Sequence, residues 1–381
     1  MVFKNAYGYA NIEHKVENTV ETKYRLYSVT KQFTAVAVLM LEERGLLKVE
    51  DPVKKYFPDW EELDSRITIH QLLNHTSGLV NYMATADFDQ KKIEKQDFIK
   101  KYIGQPLDFE PGTQYNYSNT GYSLLGMLIE VLSGINYGQF LSKNIFLPLG
   151  MLNSGMINNQ TIVEGMASGY YINRNEIIHC AYADVDTHRA EGGMYSTVLD
   201  VLKWDQSLKN GVLISKQSIE KMETVYKDNY GYGVEINMHG DKKMIHHNGG
   251  YTGFLPALYR YVDHDFAVVV LSNYGFAASD KLCMEIAKIS FGEKYDMPVK
   301  PPVFPLSPEI LESYLGVYGE EGDTLELKKE GEDICLIIDD EFVFPVYPIS
   351  ENVLHHTCID EAYPVIKDDD GQLSIWDSKK R

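Results

Sequence analysis

A serine and a lysine three residues apart, Ser28 and Lys31, stand at the head of an apolar run from Phe33 to Leu41 that closes with Glu42-Glu43-Arg44-Gly45. As a helix, this run places the two side chains on one face, one turn apart. Ser28 can cap it, and Gly45 is a natural stop. The run is apolar nearly all the way round rather than on one stripe, so the helix is expected inside a large domain, with Lys31 buried too. Desolvation drives a lysine toward the neutral amine, the form that can take a proton. A serine hydroxyl beside such an amine becomes a nucleophile without a histidine base.

Spacing alone does not single this pair out, because Ser218 and Lys221 repeat it. That copy lies in Lys-Gln-Ser-Ile-Glu-Lys-Met-Glu, a polar helix surface on which the lysine is expected to stay solvated and charged. Two further short patterns follow Ser28 in the chain, Tyr117-Ser-Asn119 and His247-Asn-Gly249, and Tyr171-Ile-Asn173 duplicates the first of them. In isolation each reads blandly: a hydroxyl in an aromatic core for Tyr117, a turn-capping amide for Asn119, an edge-strand histidine for His247. His75 has no partner histidine at metal spacing and reads as a structural hydrogen-bonding group.

The elements that must position these residues follow from pattern. Residues 2 to 10 and 24 to 27 read as strand material leading into the Ser28 helix. A short helix ends in the loop around His75. A second loop, Phe109 to Asn119, opens onto a helix whose apolar positions Leu124, Leu125, Leu128, Ile129 and Leu132 run to Gly134. Ser196-Thr197 starts another helix. From Tyr230 the texture becomes strands separated by turn residues, with a helix from about Ala278 to Ile289 covering them. Strands at both ends of this region with helices between imply one mixed sheet packed on a helical body. Val299 to Pro308 is a proline-rich linker, and the short β-like runs beyond it suggest a small antiparallel sheet or barrel.

The chain has 381 residues, 44% of them hydrophobic, and a formal charge of -19. That length supports one large domain with a small one appended. The negative charge argues against nucleic acid and anionic membranes as main partners. No segment has the apolar length of a membrane span, and the N-terminus lacks the zones of a signal peptide, so as written the protein reads as soluble and cytoplasmic. Cys180, Cys283, Cys335 and Cys358 show no metal-ligand spacing and read as buried thiols. Asp368-Asp369-Asp370 reads as a solvated turn before Gly371. No metal or other cofactor is expected, and a small molecule or short peptide is the expected partner.

Taken in order, Ser28-x-x-Lys31, Tyr117-x-Asn119 and His247-x-Gly249 resemble the three motifs of the serine β-lactamase and penicillin-binding-protein superfamily, especially its class C β-lactamase-like esterases, D-aminopeptidases and DD-peptidases. Longer stretches support the resemblance: Leu72-Leu-Asn-His-Thr-Ser-Gly-Leu79, Pro111 to Asn119 with Gly121 to Gly126, Glu191-Gly-Gly193 before Ser196-Thr197, and Gly249-Gly-x-x-Gly-Phe254. It spans residues 3 to 295.

The resemblance implies an α+β fold, an antiparallel sheet flanked by helices with a helical subdomain, over residues 1–298. Residues 299–308 form the linker, and residues 309–381 form a small lipocalin-like β domain. It implies an acyl-enzyme on Ser28, with Lys31 and Tyr117 sharing the proton work and either able to be the base. Backbone N–H groups of Ser28 and Gly250 would form the oxyanion hole. Asn119, His247 and Gly249 would contact substrate, Asn119 either holding its amide or aligning Lys31. A non-catalytic, ligand-binding member of the fold is the competing reading.

Two departures matter. Related enzymes carry lysine where this chain has His247, a residue only partly charged near neutral pH, which moves weight from β-lactams toward esters, amides or peptides lacking a carboxylate at that place. The N-terminal helix and first strand of relatives are also not represented. Either the sheet has one edge strand fewer, or a preceding segment, which could include an export signal, is missing.

Overall fold

A computed structural model describes all residues except 1, 86–94, 182–189, 321–322, 339–341, 358, 369, 376–377 and 381. Cys358 and Asp369 therefore lie outside the described residues. The chain divides into two compact units whose sequences interleave: residues 1–169, 181–273 and 279–291 form the first, and residues 170–180, 274–278 and 292–381 the second.

The first unit is built around the helix Thr30–Glu43, buried from Thr30 through Leu41. Its sequence explains this directly, since no face of the run is polar enough to be left in water. Phe33 stacks on Trp204 with ring centroids 3.9 Å apart, and Trp204 Nε1 donates to Gln32 Oε1. Gly45 (φ 74°) ends the helix as anticipated: its N–H reaches Glu42 O and the Leu46 N–H reaches Leu41 O, satisfying carbonyls that the helix leaves open. At the other end the expectation is corrected. Ser28 lies in a 3-10 turn, Tyr27–Val29, the α-helix starts at Thr30, and no side chain caps it. The Ser28 hydroxyl is engaged elsewhere.

Four antiparallel strands make the main sheet of this unit, in the order Phe266–Val270, Ala257–Tyr261, Lys242–Asn248, Glu235–His239. The helices Val198–Asn210 and Ser279–Ser290 pack on it. The single mixed sheet expected from the sequence is not formed among the described residues: Tyr9–Asn11 pairs with Val16–Glu17, and Tyr24–Arg25 pairs with Met194–Ser196. The first pairing is local, closed by a short turn at low cost in chain entropy, whereas the second joins segments distant in sequence.

The helix Asn119–Ser133 begins within the second motif. Ser118 is its N-cap, accepting from the Gly121 N–H, and Gly134 (φ 70°) ends it. Gly126 allows this helix a close approach, since a Cβ there would lie 2.5 Å from Ala190 Cβ. No single helix among the described residues is long and apolar enough to cross a membrane.

In the second unit, strands from Gly316–Glu320 to Ser378–Lys379 form an eight-stranded antiparallel meander in sequence order. A bridge between Tyr318 and Lys380 brings its ends together, so the sheet is nearly a closed barrel. Tyr318, Leu327, Leu336, Leu354 and Ile375 fill its interior. The helix Pro308–Tyr314 starts on the last residue of the proline-rich stretch, capped by Ser307. The hairpin Tyr170–Asn173 with Glu176–His179 belongs to this unit, Asn173 Oδ1 accepting from the Val343 N–H. Tyr171, in the duplicate of the second motif, packs there against Phe276 and Phe342.

Candidate active site

Ser28 sits on a constrained turn. Tyr27, before it, has φ 39°, a left-handed conformation that costs a non-glycine residue about 1–2 kcal/mol. The Tyr27 hydroxyl is held by hydrogen bonds to Thr252 and Arg25, and its ring packs edge-on against Tyr251. The strand Lys242–Asn248 delivers Gly249 to this turn: a Cβ at 249 would lie 2.6 Å from Leu26 O and 2.9 Å from Ser28 N. The glycine in the third motif is thus needed for backbone to pass backbone. Gly250 follows, exposed and beyond the strand end.

Lys31 is fully buried, and its Nζ lies 3.1 Å from Ser28 Oγ, 2.8 Å from Asn119 Oδ1 and 2.9 Å from the Glu191 carbonyl oxygen. The last two can only accept. A neutral amine has two N–H bonds, which these acceptors occupy, so its lone pair is left for the Ser28 hydroxyl. Burial brings the Lys31 ammonium down to a pKa of about 7, while the Glu191 charge opposes that shift. Asn119 is oriented in turn, its Nδ2 donating to Asn81 Oδ1 and Met83 Sδ. Asn119 Oδ1 is thus in place to accept from Lys31 Nζ.

Burial holds the Tyr117 phenol far above the ordinary range, with the neighbouring Ser28 hydroxyl pulling the other way. Lys31 Nζ lies 4.8 Å from the centroid of its ring. His75 secures this tyrosine. Its carbonyl accepts the Asn116 N–H, its Nδ1 accepts the Ser118 N–H at 3.1 Å, and its ring lies 4.3 Å from that of Tyr117. The structural reading of His75 therefore holds. Burial, with Lys31 and His247 nearby, keeps it neutral.

His247 differs from the sequence expectation of partial charge. It is 2% exposed, Nε2 accepts from the Tyr230 hydroxyl at 2.9 Å, and Nδ1 donates to Asn248 O at 2.6 Å. Burial and Lys31 depress its pKa to about 3, so it is neutral and both nitrogens are committed to protein groups. It offers no cation to a substrate carboxylate.

Sequence reasoning missed several members of the cluster. Tyr230, Tyr122 and Tyr82 are fully buried: Tyr122 packs against both Lys31 and His75, and Tyr230 against His75. Tyr82 donates from its hydroxyl to Glu191 Oε1 at 2.9 Å. Glu191 had a signal, an acid set between Ala190 and Gly192-Gly193. The tyrosines had none, in a chain with 27 of them. The duplicate pair is divided between acids: Ser218 donates to Glu43 Oε1, and Lys221 to the Glu42 carboxylate. A separate cleft of about 220 Å³, lined by Asp205, Glu223 and Arg260 among others, contains none of the motif residues.

Residues 1–284 match the family model described as Beta-lactamase. The chain is 31% identical to penicillin-binding protein 4* of Bacillus subtilis over 92% of its own length and 84% of that protein's. A D-stereospecific amidohydrolase from Streptomyces sp. superposes with a TM-score of 0.64 at 25% identity, over 72% of this chain and 88% of that one. At the level of fold, the octameric penicillin-binding protein homologue from Pyrococcus abyssi covers 99% of this chain and 92% of its own, with a TM-score of 0.68 at 24% identity. Together with the ordered motifs around Ser28, these matches establish that the chain belongs to the Beta-lactamase family, a family of serine hydrolases and acyl transferases.

Proposed function

We propose that the protein is a serine hydrolase that cleaves an ester, amide or peptide bond through an acyl-enzyme on Ser28. The observation that carries this reading is the Lys31 amine, 3.1 Å from Ser28 Oγ, buried and tied by two obligate acceptors. Lys31 is the base, because its pKa lies near neutrality while the Tyr117 phenol is held protonated. Ser28 Oγ attacks the carbonyl carbon as its proton passes to Lys31 Nζ. The oxyanion would be met by the N–H groups of Ser28 and Gly250, a role supported by the close approach of Gly249, next to Gly250, to Ser28 N. The tetrahedral adduct then collapses, and the leaving group takes a proton from the Tyr117 hydroxyl, which Lys31 replenishes. Water attacks the acyl-enzyme by the reverse path.

The neutral, committed state of His247 favours substrates with no carboxylate at that position, such as esters and D-amino-acid amides, over β-lactams. The likeness to a D-stereospecific amidohydrolase supports the same class. A fluorescent fluorophosphonate is expected to label the protein, with labelling lost in Ser28→Ala; labelling that survives the substitution overturns the assignment. Across p-nitrophenyl esters, D-aminoacyl anilides and a chromogenic cephalosporin, the cephalosporin is expected to be the slowest. Its being the fastest would refute the substrate class.

A further inference from the structure

We propose that Glu191 is the buried counter-charge that sets the protonation state of Lys31, a positioning residue acting through the lysine. The inference rests on the reading of Lys31 as the base. Glu191 is 1% exposed, its backbone oxygen is a direct acceptor of Lys31 Nζ, and its buried carboxylate favours the charged form of Lys31. It is fixed there from three sides. Tyr82 donates to Oε1, Thr34 donates to the neighbouring Ala190 carbonyl at 2.5 Å, and Gly126 lets the helix Asn119–Ser133 close against Ala190.

The other titratable groups of the buried cluster cannot replace it. Tyr117 and Tyr122 present ring faces, Tyr230 and Tyr82 are buried phenols, and burial holds His75 and His247 neutral. None carries a negative charge at working pH. Accepting the Ser28 proton turns Lys31 into a buried ammonium, which Glu191 stabilises without altering the lone-pair geometry of the neutral amine. The same carboxylate also pushes the Tyr117 phenol up, which keeps it a proton donor. One buried acid therefore biases both members of the proton-transfer pair.

The sign is fixed. Removing the negative charge disfavours the ammonium, so the neutral base survives to lower pH. The rate of Ser28 labelling by a fluorophosphonate is to be followed against pH in wild type, Glu191→Gln and Glu191→Asp. At about pH 5 the glutamine variant is expected to retain about tenfold more of its plateau rate than wild type, one pH unit being a factor of ten. Glu191→Asp, which keeps the charge, is expected to return the limb to the wild-type position. If Glu191→Gln does not fold, Glu191→Ala removes the same charge and is expected to shift the limb the same way. An unmoved limb in a folded, labelled variant overturns the inference.

Absence of labelling in wild type instead refutes the hydrolase reading, and thermal unfolding then decides this one. Lys31→Met and Glu191→Gln, singly and together at about pH 6 where the ammonium dominates, should be non-additive, the double variant melting higher than the sum of the two losses predicts. Additive losses overturn the coupling.

Discussion

The rings of His75 and Tyr117 lie tilted against each other with centroids 4.3 Å apart, and the same histidine accepts the N–H of Ser118, so one buried side chain fixes both the ring of Tyr117 and the backbone that follows it. His75 also adopts φ 60°, a conformation that asparagine tolerates and alanine does not. His75→Ala is therefore expected to cost about 2–4 kcal/mol, combining an orphaned buried N–H with backbone strain. His75→Asn, which retains an acceptor, should cost clearly less, and urea unfolding of the two variants checks the order.

Tyr117→Phe keeps the ring against His75 and removes only the hydroxyl on Ser28. A fall of about 10²–10⁴ in kcat is expected, with KM and melting temperature little changed. A steady-state comparison on a p-nitrophenyl ester reads it, and a matching loss of thermal stability would mean that the phenol is structural.

The pH dependence follows from Lys31, whose pKa is lowered from its ordinary 10.5 to about 7. Activity is expected to rise as Lys31 deprotonates, with the acid limb of kcat/KM near pH 7. For stability, the unfolded chain holds this proton up to its ordinary value while the folded protein releases it near neutrality. Folding is thus penalised by the buried ammonium below about pH 7, and the penalty lifts progressively as pH rises toward 10.5. Lys31→Met should flatten that part of the stability profile, as measured by urea midpoints at several pH values.

His247→Lys is expected not to create a carboxylate reader. It would place a second amine in the space that Lys31 occupies and leave the Tyr230 hydroxyl without its acceptor. The expected result is a loss of about 2 kcal/mol or more, with no gain on carboxylate-bearing substrates. A folded variant with enhanced cephalosporin turnover would contradict it.

Ser218→Ala should leave fluorophosphonate labelling intact, because Ser218 donates to Glu43 and its lysine neighbour is paired with Glu42. Phe33→Ala, by contrast, opens a cavity against Trp204 and is expected to cost about 3–5 kcal/mol in thermal or urea unfolding.

What the sequence determined by itself was local or ordered along the chain. The all-round apolar run implied a buried helix, three-residue spacing put Lys31 beside Ser28, and Gly45 marked the end. The order of Ser28-x-x-Lys31, Tyr117-x-Asn119 and His247-x-Gly249 pointed to the family, and the short β-like runs beyond the proline-rich stretch to a β-rich tail. Tertiary structure decided the charges. Lys31 meets Asn119 from 88 positions away and Glu191 from 160; those contacts assign its lone pair, and the exclusion of water lowers its pKa. His247 looked like a pH-sensitive residue until Tyr230 and Asn248 took both its nitrogens. Ser28 and Ser218 carry the same local pattern and differ only in what the fold brings to them: a buried amine and a phenol for one, a glutamate for the other. Helix periodicity is written within a few residues, but protonation depends on burial and on partners that distant segments supply.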